Sequence, residues 1–114
     1  MSVKVSNRRA YFRVETKIDA VLRVNNVMQN VQVVDISTGG LQITSKIELP
    51  LNEFVTIYYS LPSNRMTAYC RIVRNVKSGD PEYQYGCKYE YISENDRKKI
   101  YSYLFDTQAL SRWL

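Results

Sequence analysis

Two arginines near the start of the chain have the type and spacing needed to bind an anion. Arg9 and Arg13 lie four residues apart in a basic segment, and in an extended backbone this spacing points both side chains to the same side. A guanidinium group binds phosphate oxygens in pairs, binds O6 and N7 of guanine, and stacks on a purine ring. The pair therefore indicates a ligand that carries phosphates and purine bases.

The second group of polar residues is the hexapeptide from Asp35 to Gly40, of sequence DISTGG. Ionised Asp35 accepts hydrogen bonds only, so it suits the N1 and N2 donors of a guanine edge and rejects adenine. Ser37 can bind a phosphate or ribose oxygen or can stabilise a turn, while Gly39 or Gly40 permits positive φ and close approach of a ligand. Taken by itself, the hexapeptide is equally consistent with a ligand-binding site and with an ordinary Asx turn.

The chain has 114 residues and a net charge of +5, and the positive excess is concentrated near its start. Residues 1–23 contain six Lys or Arg residues against two acidic ones. This clustering favours an anionic partner such as a nucleotide, nucleic acid or a membrane surface, although a solvated basic face is the commoner explanation of charge alone. Arg8 precedes Arg9 directly and either binds a second, stacked ligand molecule or remains a solvated charge. Arg74 either lies at the rim of the site or is an ordinary surface charge of a strand.

Catalytic and metal-binding functions lack the residues they need. The chain contains no histidine, so Ser and Cys nucleophiles have no usual base, and Cys70 and Cys87 have no third ligand for zinc. We expect no catalytic residue, no metal, no cofactor and no enzymatic activity, with both cysteines buried and reduced. No apolar run is long enough to cross a membrane and no signal peptide is visible, which indicates a cytoplasmic protein.

The elements that position these residues are mostly short strands. Alternating or β-branched runs predict six strands, and Asn25-Asn26 is typical of a tight hairpin turn. The period changes after Ser93, where an apolar stripe of Ile100 and Leu104 with Tyr101 and Phe105 predicts a helix. We expect one domain, mainly all-β, over residues 1–114: a flexible Arg-rich arm at 1–13, an antiparallel barrel at 14–92, a C-terminal helix at 93–106 and a tail at 107–114.

The two motifs, in this order and followed by Tyr85-Gly86-Cys87-Lys88-Tyr89 in a late strand, resemble the PilZ domain family over essentially the whole chain. The resemblance implies a six-stranded β-barrel and cyclic di-GMP as the ligand. It implies a site where the arm folds across the barrel beside the hexapeptide. Of the two glycines, it assigns to Gly40 the role of allowing close approach of a ligand.

The resemblance also implies a bacterial receptor for a second messenger, of the kind that regulates motility or exopolysaccharide synthesis. Its arm orders when cyclic di-GMP binds, and the ordered surface signals to a downstream protein or fused domain. Two alternatives remain open: an OB-type barrel that binds single-stranded nucleic acid, and a PilZ-like interaction module that binds no ligand. The concentration of charge in the arm makes nucleic acid the weaker interpretation, because an OB groove spreads its basic residues over several strands.

Overall fold

The structure is a computed structural model that describes residues 13–77 and 81–113, the residues from 108 onward by their backbone alone. Six strands are followed by one helix. The strands are β1 (Arg13–Val24), β2 (Val27–Ser37), β3 (Gly40–Ser45), β4 (Phe54–Leu61), β5 (Asn64–Lys77) and β6 (Tyr83–Tyr91), and the helix is α1 (Glu94–Trp113). The mainly all-β class and the C-terminal helix predicted from the sequence are confirmed.

The strands form a closed antiparallel barrel in the order β1-β2-β3-β6-β5-β4. The β1–β2 hairpin turns at Asn25 and Asn26, whose φ angles of 49° and 64° fit the predicted tight turn. β6 inserts between β3 and β5, so the last strand of the sequence lies beside the hexapeptide. The barrel closes through a short ladder between β1 and β4, centred on the pairing of Leu22 with Ile57.

Alternate side chains of every strand point into the barrel and form its core. Leu22, Val33, Ile43, Ile57 and Ile72 are fully buried, as period-2 alternation requires. Both cysteines are buried and unpaired, as predicted. Burial raises the pKa of Cys87 to about 12, so this thiol remains protonated and unreactive at neutral pH.

One end of the barrel is covered by α1. The hydroxyl of Ser93 accepts a hydrogen bond of 3.1 Å from the backbone N–H of Asp96, which is the predicted N-terminal cap. Ile100 and Leu104 are buried against the barrel, and the Tyr103 hydroxyl donates to Thr16 on β1. Within residues 13–77 and 81–113, no helix has the length and apolar character needed to span a membrane.

Some predicted boundaries differ from the structure. α1 continues to Trp113 instead of ending at residue 106, because no Gly or Pro stops it, so the predicted tail is helical through residue 113. Tyr101 and Phe105 share the predicted stripe but remain largely exposed. β2 extends through Ser37, so Asp35 and Ser37 lie in a strand and the turn is shorter than predicted. Arg13 begins β1; the rest of the predicted arm, residues 1–12, lies outside the described residues.

A bulge changes the orientation of the last tyrosine in β6. Tyr85 is fully buried, as expected for the inward face, whereas Tyr91 is 63% exposed. The register of β6 against β5 shifts between these positions, with Cys70 opposite Tyr89 and Tyr69 opposite Tyr91. The extra residue in β6 reverses the parity, so Tyr91 points outward.

Candidate functional site

The residues of the two motifs meet on the outer surface of the barrel, where five strands present their side chains in rows. One row runs through Arg13, Ser37, Gly40 and Lys88. Arg13 on β1 pairs with Ser37 on β2, Gly40 on β3 pairs with Lys88 on β6, and hydrogen bonds of the Ser37 hydroxyl to Gly40 join the two pairs. These residues line a shallow pocket of about 290 Å³. Strand pairing therefore brings together charges that are up to 75 positions apart in the sequence.

Arg13 and Asp35 form an ion pair at one side of this pocket. The Nε atom of Arg13 donates to Oδ2 of Asp35 over 2.6 Å. The carboxylate side chain is only 8% exposed and the arginine side chain is 44% exposed. Burial raises the pKa of Asp35 above its ordinary value, and the hydrogen bond and charge of Arg13 offset part of this rise. The carboxylate is thus held at the pocket by a partner that solvent and ligands can reach.

The hydroxyl of Ser37 organises the turn between β2 and β3. It accepts hydrogen bonds from the backbone N–H groups of Gly39 and Gly40, at 3.3 and 3.2 Å, and donates to the carbonyl of Gly40 at 3.2 Å. A hydroxyl offers one donor and two acceptor positions, and these three bonds use them all. In this structure Ser37 therefore performs the turn-stabilising role, one of the two roles that the sequence allows.

The two glycines of the hexapeptide have different requirements. Neither adopts the positive φ that glycine permits. Gly40 is buried, and a Cβ atom there would overlap the carbonyl oxygen of Cys87 on β6, so the close approach of two strands requires glycine. Gly39 is exposed and has no heavy atom within 4 Å of a Cβ position. Space for an approaching ligand is thus present at Gly39.

Two further cations border the pocket. Arg74, on β5, lines the pocket, which is one of the two positions that the sequence left open for it. Lys88 was not predicted, although its alternation with the buried Cys87 places it on the outer face of β6. Gln42 and Gly86 also line the pocket and were missed, because only the pairing of β3 with β6 brings them there. The described part of the site carries three cations and one carboxylate.

The predicted site residues that the structure describes all lie in one place. Six of them line the same pocket: Arg13, Asp35, Ser37, Gly39, Gly40 and Arg74. Arg8 and Arg9 lie outside the described residues.

A larger groove of about 890 Å³ lies elsewhere, where β1 and β4 separate. Arg65 is the one basic residue that lines this groove. Asp19 also lines it, and its carboxylate already accepts a hydrogen bond from Gln32. It contains neither motif, so volume alone does not identify the binding site. The smaller pocket combines more charge with the two motifs, and we take it as the candidate site.

Comparison with known families agrees with the motifs. The model of the PilZ domain matches residues 7–106, a span that includes both motifs and all six strands. The chain belongs to the PilZ domain family. No curated protein sequence matches it.

Solved PilZ structures share the fold at low sequence identity. The PilZ domain of YcgR from Escherichia coli, solved with cyclic di-GMP, superposes with a TM-score of 0.71 at 15% identity, covering 92% of this chain and 95% of that one. The inhibitor of motility MotI/DgrA from Bacillus subtilis gives 0.76 at 15% identity, covering 89% and 51%. PlzA from Borreliella burgdorferi, solved in complex with cyclic di-GMP, gives 0.59 at 11%, covering 96% and 57%. The chain thus spans about half the length of the last two proteins.

Proposed function

We propose that this chain is a receptor domain for cyclic di-GMP. The observation that carries the proposal is the convergence of Arg13, Arg74 and Lys88 with the buried carboxylate of Asp35 at one pocket. Cyclic di-GMP presents two phosphates and two guanine edges. Cations suit the phosphates, and a buried acceptor suits the guanine N1 and N2 donors. The family membership and the ligand named for YcgR and PlzA support the same assignment.

Binding exchanges one set of partners for another within the pocket. Without ligand, Arg13 and Asp35 satisfy each other. When a guanine edge donates to Asp35, the carboxylate exchanges its hydrogen bond from Arg13 for hydrogen bonds from the base. Arg13 then becomes able to turn toward a phosphate or to stack on the base. The exchange requires a carboxylate that is already ionised and fixed. The ion pair fixes the carboxylate in place and favours its ionised form, against the rise in pKa that burial causes.

The arm supplies the remaining contacts in this proposal. Arg9, and Arg8 with it, close over the ligand from the segment before β1, and Arg8 binds a second, stacked ligand molecule. The closed arm and ligand together form a surface that a downstream protein or fused domain reads. The protein acts in the cytoplasm and catalyses no reaction. Amide hydrogen exchange tests the arm directly: residues 5–14 should gain the most protection on adding cyclic di-GMP, and residues 35–40 the next most.

The experiment that tests the site is calorimetry with cyclic di-GMP on the whole chain and three variants. Arg9→Ala and Asp35→Asn should each weaken binding by roughly 10-fold or more, the effect of losing a hydrogen bond to a charged group. Arg65→Ala is the matched control, because it removes a cation of similar size from β5 outside the pocket. Wild-type affinity in either site variant contradicts the proposed site.

A further inference from the structure

Gly86 lies in the interior of β6, where a glycine is unusual and often marks a close approach. It pairs with Gln42 of β3 on one side and with Arg74 of β5 on the other. Gln42 in turn pairs with Asp35. The four residues form a row across the outer surface of the barrel, and Gly86 is the only one without a side chain.

The side chain of Arg74 occupies the space that Gly86 leaves empty. A Cβ atom built on Gly86 would lie 2.9 Å from Nε and 3.1 Å from Cγ of Arg74, and 3.6 Å from its Cδ. These are the three heavy atoms nearest to that position, and all belong to the one side chain. Arg74 therefore lies flat across β6 at the pocket and not straight out into solvent.

We propose that Gly86 is a positioning residue for ligand binding: by lacking a side chain it provides the surface on which Arg74 lies, and so holds the Arg74 guanidinium in the pocket. This inference rests on the proposed function and deepens it. An arginine already placed at the site loses less side-chain freedom on binding than one that samples solvent. The affinity that Arg74 adds thus depends on Gly86, a residue that has no side chain to contact the ligand.

A purely structural role for Gly86 makes a different prediction. At Gly40 a Cβ atom would overlap backbone of the neighbouring strand, which cannot move without separating β3 from β6. At Gly86 the atoms in the way belong to a flexible side chain. Gly86→Ala should therefore fold with unchanged thermal stability and displace Arg74, whereas Gly40→Ala should disturb the barrel.

The test first measures Arg74 without ligand. In NMR spectra of the whole chain, the Nε–Hε signal of Arg74 should shift in Gly86→Ala, while that of Arg65 on the same strand should not. An unchanged Arg74 signal overturns the inference. This measurement needs no cyclic di-GMP, so it decides whether Gly86 positions Arg74 even if the proposed function is wrong.

The second measurement is a double-mutant cycle for cyclic di-GMP binding. Arg74→Ala and Gly86→Ala should each weaken binding by about 10-fold, and the double variant should bind no more weakly than Arg74→Ala alone. If the two losses multiply, Gly86 acts on the ligand directly, and the positioning role is wrong. Failure of the wild-type chain to bind would instead contradict the proposed function.

Discussion

Replacing Arg13 with alanine leaves the carboxylate of Asp35 buried without its 2.6 Å partner. A buried charged group that loses its hydrogen bond costs about 1–3 kcal/mol of stability. We expect the lower half of this range, because Arg13 is 44% exposed and solvent already weakens the pair. In a domain of this size each kcal/mol lowers Tm by about 4–8 °C. Arg13→Ala should therefore lose stability as well as cyclic di-GMP affinity.

The loss of stability should depend on pH in a defined direction. Burial raises the pKa of Asp35 above its ordinary value of 3.8, and Arg13 limits that rise. Without Arg13 the pKa of the folded state increases further, so the folded chain holds a proton at pH values where the unfolded chain has released it. Stability is then retained below the unfolded pKa and lost as pH rises through the folded pKa. The difference between wild type and Arg13→Ala should be largest at neutral pH and shrink toward about pH 4.

Urea denaturation of four proteins measures this effect: wild type, Arg13→Ala, Asp35→Asn and the double variant. In the Asp35→Asn background, replacing Arg13 should cost little at any pH, because no buried charge remains to be left unpaired. A loss in Arg13→Ala that is constant between about pH 4 and 7, or that persists in the Asp35→Asn background, would refute the reasoning.

Four further substitutions separate folding from binding. Gly40→Ala should lower Tm, because its Cβ overlaps a carbonyl oxygen of β6. Gly39→Ala should keep the wild-type Tm and lose cyclic di-GMP affinity, because the ligand approaches at this open position. Thermal melts and calorimetry compare the two variants. Tyr85→Phe should cost roughly 1–3 kcal/mol in urea denaturation, because the buried Leu49 N–H loses its 2.7 Å acceptor, with cyclic di-GMP affinity unchanged. Lys88→Ala should weaken binding and make it less dependent on salt, which titrations at two ionic strengths detect, and an unchanged salt dependence excludes a phosphate contact.

Local patterns in the sequence predict the strands, the Asn25-Asn26 turn and the helix start, because alternation and capping depend on near neighbours. They do not predict the insertion of β6 between β3 and β5, which is a long-range pairing. Lys88 and Gly86 reach the site only through that insertion, so neither was assigned to it. The same pairing explains why Gly40 must be glycine: a Cβ atom there would overlap the carbonyl oxygen of Cys87, a residue 47 positions later in the sequence.

The ion pair between Arg13 and Asp35 could not be predicted from the spacing of residues in the sequence either. The two residues belong to separate motifs, and the sequence indicates only that each has suitable chemistry for a ligand. The register of β1 against β2 places Arg13 opposite Ser37 and Glu15 opposite Asp35, which brings the guanidinium to the carboxylate. Each group is therefore the other's partner in this structure, and the sequence alone assigned them only to a ligand.

The most direct test of the receptor assignment is calorimetry of the whole chain with cyclic di-GMP, cyclic di-AMP and a short single-stranded oligonucleotide in parallel. Cyclic di-GMP should bind with micromolar or tighter affinity, about 8 kcal/mol or more favourable. Cyclic di-AMP should bind much more weakly, because adenine lacks the N1 and N2 donors that Asp35 accepts. Equal binding of the two dinucleotides would contradict the role of Asp35, and preference for the oligonucleotide, or no binding of cyclic di-GMP, would contradict the assignment itself.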